Sequence, residues 1–241
     1  MLQSRVLVIG AGGLGSPLLL YLAAAGIGTI GIVDNDTIDL SNLQRQILHR
    51  TRDIGHLKAE NGRRVIKEMN PDVNVIAHSI RFTPSNALNI IKDYDIIADG
   101  SDNFATRFLI NDAAYFAKKI LVSAAILRFD GQLSTFKSHK NKKEGQLNPC
   151  YRCIFPEPPP EGHIPSCSEA GVLGSLCGLM GSFQATEIIK EILQIGDSLA
   201  GSLLILDGLR SDFRKIKIKQ DPKCPLCGND PSIRNLSIHG K

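Results

Sequence analysis

The chain has 241 residues, enough for one large α/β domain, and 43% of them are hydrophobic, so a sizeable core can form. A net charge of +4, a pI near 8.7, no Trp and only 5% aromatics leave no basic stripe interleaved with stacking side chains, which excludes a nucleic-acid partner as an expectation. No apolar run is long enough to span a bilayer, and no basic-then-apolar leader precedes the first strand, so a soluble cytoplasmic chain with no membrane partner is expected.

The apolar run Val6 to Ile9 predicts a buried parallel strand, and it feeds straight into a glycine turn. Gly10, Gly12 and Gly15 have G-x-G-x-x-G spacing, with Gly13 between them, and an apolar helical pattern runs from Leu14 to Ala25. In that context the first glycine suits a tight turn, the second a close approach to phosphate, and the third close packing of helix on strand. A second strand, Thr29 to Val33, ends at Asp34, where a carboxylate can accept hydrogen bonds from a ribose hydroxyl. Taken alone, these features suit an NAD-dependent oxidoreductase as well as any other nucleotide enzyme.

A polar stretch from Asp36 to Gln46 leads to a helical pattern over His56 to Met69, which Asn70-Pro71 ends. Strands are expected at Val73–Ala77, Asp95–Ala98 and Ile120–Ser123, and helices at Pro84–Ile91 and Phe104–Ala117. Strands and helices alternating in this way predict a Rossmann-like, doubly wound, mostly parallel sheet covered on both faces. Beyond Ala125 the pattern changes. Gln132–Phe136 reads as a strand and His139–Lys143 as a hydrated surface loop, with nucleic-acid contact the minor alternative. A proline-rich crossing loop, expected to be mobile, covers 156–168, and a long helix with small residues on one face covers Gly171–Leu193. Leu203–Leu206 and Phe213–Ile218 form a final antiparallel pair. There is no internal repeat, so 1–241 reads as one domain.

Cys150, Cys153, Cys224 and Cys227 form two C-x-x-C pairs far apart in the chain. Four thiolates suit a closed, structural zinc site stapling two distant segments; a redox pair is the competing reading. Cys177, inside the long helix, reads as a small buried core residue.

The set Gly10-Ala-Gly-Gly-Leu-Gly-Ser16, Asp34, Ser41-Asn-Leu-Gln-Arg45, Asp53-Ile-Gly55 with Lys58, Asp99-Gly-Ser-Asp-Asn103 and the paired C-x-x-C motifs resembles the ThiF/MoeB/HesA group, bacterial relatives of the ubiquitin-activating enzymes. The resemblance runs through nearly the whole chain. It implies an adenylyltransferase that uses MgATP to activate the C-terminal glycine carboxylate of a small ubiquitin-like sulfur carrier ending in Gly-Gly, releasing pyrophosphate, in molybdopterin or thiamine synthesis. It also implies a homodimer. Arg45 and Lys58 would then reach the ATP phosphates, Ser41 and Asn42 would hydrogen-bond them, and Asp102, with Asn103 beside it, would hold Mg2+. Cys167, on the crossing loop, would attack the acyl-adenylate or pair with the carrier's sulfur, or else be a loop thiol. Family members carry an N-terminal arm whose arginine reaches the neighbouring subunit's ATP. Here the first strand follows almost directly on Met1, which keeps a non-catalytic scaffold in play and bears on dimer stability.

Overall fold

The computed structural model describes residues 1–139, 147–160 and 170–240. The first half alternates β1 (Arg5–Ile9), α1 (Gly15–Ala24), β2 (Thr29–Val33), α2 (Lys58–Met69), β3 (Asn74–His78), α3 (Ala87–Ile91), β4 (Ile96–Asp99), α4 (Phe104–Phe116) and β5 (Ile120–Leu127). The second half adds β6 (Asp130–Phe136), α5 (Gly174–Leu193), β7 (Ser202–Asp207) and β8 (Asp212–Lys217). All strands join one sheet in the order β3-β2-β1-β4-β5-β6-β7-β8. Pairs from β3 across to β5 are parallel, and those from β5 to β8 are antiparallel.

The continuous apolar strands follow from burial on both faces, because successive side chains point to opposite sides. Val6, Val8, Ile30 and Ile32 pack with Leu18 and Leu22 of α1, Val65 and Ile66 of α2, and Met180 and Ile188 of α5. Leu7, Ile9, Val33 and Ile97 face the other way, onto Ala87 and Ile91 of α3 and Phe108 and Leu109 of α4. Each fully buried Leu or Ile contributes about 1.5–3 kcal/mol of transfer free energy, so these two layers dominate the stability of the fold. The edge strand β8 is exposed throughout and carries Arg214, Lys215 and Lys217, charges that discourage further strand pairing. Among the described residues no helix is long and apolar enough to cross a membrane.

Most elements differ from the sequence reading by one or two residues at an end, and three differ by more. β5 continues to Leu127 because its second half pairs antiparallel with β6, from Ser123 opposite Ser134 to Leu127 opposite Asp130. α3 starts at Ala87, since Thr83 to Asn86 is a turn in which Asn86 Oδ1 accepts from the Thr83 N–H. α5 starts at Gly174 because Val172 bridges to Arg128 and the Leu173 N–H is held by the Arg128 carbonyl. Most of the expected crossing loop 156–168, including Cys167, and most of the expected surface loop 139–143 lie outside the described residues.

A buried ionic cluster ties the C-terminal segment to α4. Asp112 accepts both arms of the Arg152 guanidinium at 2.8 Å and His239 Nε2 at 2.8 Å. Arg152 also lies over the ring of Phe108, 4.6 Å from its centroid.

Candidate functional site

The strand order reverses between β1 and β4, so the chain leaves their C-terminal ends in opposite directions and opens a crevice. Two glycine-containing turns meet there. Gly10 has φ +97°, and a Cβ on it would lie 2.7 Å from the Gly100 carbonyl oxygen. Gly15 starts α1 so close to β1 that any Cβ would collide with the Gly10 carbonyl. No side chain caps α1, which leaves its positive end to an anion.

Around the crevice three cavities share walls. The central one is tight, about 90 Å3, and is lined by Gly10, Gly12, Gly13, Asp34, Arg45, Lys58 and Asp102 among others. Toward the end of β3 it joins a cavity of about 340 Å3 that includes Asp34, Ile80, Arg81 and Phe82. On the other side a groove of about 440 Å3 runs past Phe104, Phe108, Tyr151, Ile154 and Phe155. Asp102 lines all three.

Each polar group in the central cavity has a defined anchor. Asp34 accepts from the Ala11 N–H at 2.8 Å and from the Asp36 N–H at 2.9 Å. Burial raises its pKa above 3.8, against the Ala11 hydrogen bond and the positive charge of Lys58. Lys58, the first residue of α2, is buried, and its Nζ donates to Asp36 Oδ2 at 2.9 Å. An ammonium has three hydrogens, so two remain for a ligand. Arg45 Nη1 donates to the Ser41 carbonyl at 3.2 Å. The loop carrying Asp102 is fixed from below: buried Asp99 accepts from the Ser101 N–H and hydroxyl at 2.9 and 2.6 Å and from the Ser123 hydroxyl at 2.7 Å, while Arg107 donates to the Ser101 carbonyl at 2.8 Å.

Four sequence-predicted residues stand beside the central cavity and not in its lining: Gly15, buried at the start of α1, and Ser41, Asn42 and Asn103. Ser41 and Asn42 sit in a 3-10 turn over Leu40–Asn42, where the Asn42 side chain accepts from the Asp39 N–H at 3.1 Å. Asn103 caps α4 by accepting from the Thr106 N–H at 2.9 Å, and its amide donates to Asp102 at 3.3 Å. It lines the two flanking cavities. Residues that the sequence reading passed over also line the central cavity. Gln46 is 4% exposed and its Oε1 has no hydrogen-bond partner, a buried acceptor that costs about 1–3 kcal/mol unless a ligand or water donates to it. Its only sequence signal was adjacency to Arg45. Cys177 is buried as expected, yet its Sγ lies where it would be 3.0 Å from a Cβ on Gly13, in the cavity wall.

The four paired cysteines converge behind α4. Their sulfurs lie within 4.8 Å of one another, with Cys150–Cys224 at 3.5 Å, Cys153–Cys227 at 3.3 Å and Cys150–Cys153 at 4.0 Å. A disulfide needs about 2.0 Å, so none of these is bonded. Tetrahedral sulfurs about 2.3 Å from one metal ion lie about 3.8 Å apart, which these separations match. The Asp221 N–H donates to Cys153 Sγ at 3.4 Å, and the Cys227 N–H to Cys224 Sγ at 3.5 Å, as suits thiolates. Donating to the Cys153 and Cys224 sulfurs holds the Cys150 thiol above the usual thiol range, a shift that a bound cation would reverse. This cluster can hold a metal ion and is closed, with no position for a substrate.

The profile of the ThiF family matches residues 1–226. A sulfur carrier protein adenylyltransferase of Thermus thermophilus is 48% identical over 234 residues, covering 97% of this chain and 86% of that one. A probable adenylyltransferase/sulfurtransferase MoeZ of Mycobacterium tuberculosis is 53% identical over 223 residues, 92% of this chain and 56% of that one. The adenylyltransferase and sulfurtransferase MOCS3 of Aedes aegypti is 44% identical over 97% of this chain and 52% of its own. The chain thus spans little more than half the length of the two sulfurtransferase-named relatives. Among solved structures, Escherichia coli MccB with ATP superposes with a TM-score of 0.80 at 20% identity, over 94% of this chain and 67% of that one. That likeness speaks to the fold alone.

Proposed function

The chain belongs to the ThiF family, and from that premise we propose that it is an adenylyltransferase that uses ATP to activate the C-terminal glycine carboxylate of a ubiquitin-like sulfur carrier. One observation carries the reading: three cavities of different chemistry meet at Asp102. The cavity with Asp34 and the apolar Ile80 and Phe82 suits an adenosine. The tight centre, where Arg45, Lys58 and the uncapped start of α1 meet the Asp102 carboxylate, suits a triphosphate with a divalent cation, and the long, mainly apolar groove suits an extended peptide tail. Their junction is where a tail carboxylate would meet an α-phosphate.

In the reaction a carboxylate oxygen forms a bond to the α-phosphorus while the bond from that phosphorus to the bridging oxygen breaks. The electron pair leaves with pyrophosphate. The carboxylate is already ionised at neutral pH, so no general base is required; the barrier lies in charge repulsion and alignment. Arg45 and Lys58 oppose the charge that grows on the phosphate oxygens, and the α1 terminus does so with backbone N–H groups. Asp34 holds the ribose, Gln46 Oε1 accepts from a ligand or ordered water, and Ser41, Asn42 and Asn103 support the phosphate segment and the Asp102 loop. Asp102 is the residue that would hold Mg2+, which screens phosphate charge when bound. The four cysteines are read as a structural Zn2+ site. A redox role fits them less well, because all four are gathered and closed. Cys167 stays proposed as the thiol that reacts with the acyl-adenylate. The sulfurtransferase activity named for the longer relatives is not part of this proposal.

Homodimer formation, a cytoplasmic setting and service to molybdopterin or thiamine synthesis are proposed with the same reading. An NAD-dependent oxidoreductase would share the glycine turn and Asp34 but has no use for Arg45 and Lys58 beside them. The test is ATP–pyrophosphate exchange with a carrier ending in Gly-Gly, in the presence of Mg2+ and Zn2+. Carrier-dependent exchange is expected. Its absence, or protection against heat by NAD and not by MgATP, would sink the reading.

A further inference from the structure

We infer that His49 and Asn61 are a positioning pair that holds the glycine turn, the Arg45–Gln46 segment and the start of α2 in the mutual register that grips a triphosphate. The inference rests on the ATP reading above and deepens it. His49 is 5% exposed and Asn61 4%, neither lines any of the three cavities described above, and no step of the reaction uses them.

The ring's hydrogen bonds fix its state. His49 Nε2 lies 3.0 Å from the Ala11 carbonyl oxygen, which can only accept, so Nε2 carries the hydrogen. Nδ1 is then bare and accepts from Asn61 Nδ2 at 2.8 Å. The amide cannot turn over, because its Oδ1 accepts from Arg64 Nη2 at 2.6 Å. Arg64 also donates to Asp53 Oδ1 at 2.8 Å, and Asp53 Oδ2 accepts from the Arg50 N–H at 3.0 Å, beside His49 itself. The circuit closes on its starting point, so the tautomer and the amide orientation support each other.

What the circuit connects gives it a purpose. Ala11 is the second residue of the glycine turn, and its N–H is already held by Asp34. The His49 N–H is held by the Gln46 carbonyl at 3.0 Å, so the imidazole sits one turn beyond the segment carrying Arg45. Asn61 sits one turn after Lys58 in α2. Three elements from separate parts of the chain each supply a phosphate-facing group, and one imidazole and one amide set the distances between them. A shift of about 1 Å at such groups is enough to lose much of a preorganised site's affinity and rate.

The experiment compares His49→Leu, which is nearly isosteric but makes no hydrogen bond, with His49→Gln, which keeps a donor near the Nε2 position. Affinity is measured by calorimetry for MgATP and, separately, for adenosine, which has no phosphate. For His49→Leu the MgATP affinity is expected to fall about tenfold, the loss of one or two hydrogen bonds, with the adenosine affinity unchanged. The apparent KM for ATP in exchange rises in parallel, and His49→Gln recovers most of the loss. Equal losses for ATP and adenosine, or no difference between Leu and Gln, overturn the proposal, since a merely structural role moves both ligands together. If His49→Leu does not fold, Asn61→Ser carries the same comparison, with a smaller ATP-selective loss expected and a non-selective loss refuting. A wild-type chain that binds no MgATP refutes the ATP reading itself, which these outcomes keep separate.

Discussion

Replacing Lys58 by Met removes a charge and keeps a side chain of similar length. Lys58 is 5% exposed and pairs with Asp36, whose side chain is 60% exposed and can return to water when the pair is lost. Removing one partner of a buried ion pair is costly when it strands the other charge in the interior, but Asp36 can return to water, so the thermal midpoint should change little. Function should respond far more. A charge-assisted hydrogen bond to phosphate contributes about 1.5–3 kcal/mol. Two unit charges 4 Å apart near a protein surface interact by about 4 kcal/mol at an effective dielectric constant of 20. Loss of about 2–4 kcal/mol of transition-state stabilisation lowers kcat/KM by about 30- to 1,000-fold. Asp34 also loses a charge that lowers its pKa, so the residual activity should need a higher pH. The assay is ATP–pyrophosphate exchange at saturating carrier with ATP titrated, beside a thermal melt. A folded Lys58→Met chain within threefold of wild type would refute the phosphate assignment.

Other outcomes follow from the same structure. One zinc per chain is expected, and Cys150→Ser should lower that content and destabilise the segments joined behind α4, read by atomic absorption and urea unfolding; an unchanged melt with zinc absent would remove the metal reading. Arg152→Leu leaves the fully buried Asp112 with only the His239 ring and the Asn111 amide of its present side-chain partners, so a loss of about 3–5 kcal/mol in urea unfolding is expected, and a loss under 1 kcal/mol would contradict the ionic tie. Burial, and then the charge of Lys58, depress the His49 pKa below 6.5, outweighing the Ala11 hydrogen bond and Asp53. The folded state therefore binds fewer protons than the unfolded chain, and this contribution to stability is lost as pH falls below about 6.5. Burial depresses His78 in the same direction, so the comparison must be with His49→Gln, which should lose less stability between pH 7.5 and 5.5 than wild type does. Equal losses would mean that His49 does not titrate as described.

The doubly wound half of the fold was legible because its strands are buried on both faces and so read as unbroken apolar runs, Val6 to Ile9 above all. The end of β5 was not, since Ala124 and Ala125 have little strand propensity and are held extended only by pairing with β6. In the site, the glycines and Asp34 were legible from their spacing, and Arg45, Lys58 and Asp102 only through the family resemblance; apart from Gly15, all of them line the central cavity. Gln46 and Cys177 were not, because only tertiary packing brings them to the glycine turn. The His49–Asn61 tie was hidden for the same reason: a lone histidine in a polar stretch carries no periodic signal. The paired cysteines were legible from spacing, and the convergence of their sulfurs agrees with it.

The most direct test of the central claim is the mass of the carrier itself. A ubiquitin-like carrier ending in Gly-Gly is mixed with the chain and MgATP, quenched rapidly in acid and read as intact protein. The account predicts an AMP adduct on the C-terminal carboxylate, formed with one pyrophosphate released and absent from a carrier lacking its last glycine. Pyrophosphate release with no adduct on the carrier, or an unchanged carrier beside a chain that binds MgATP, would contradict it.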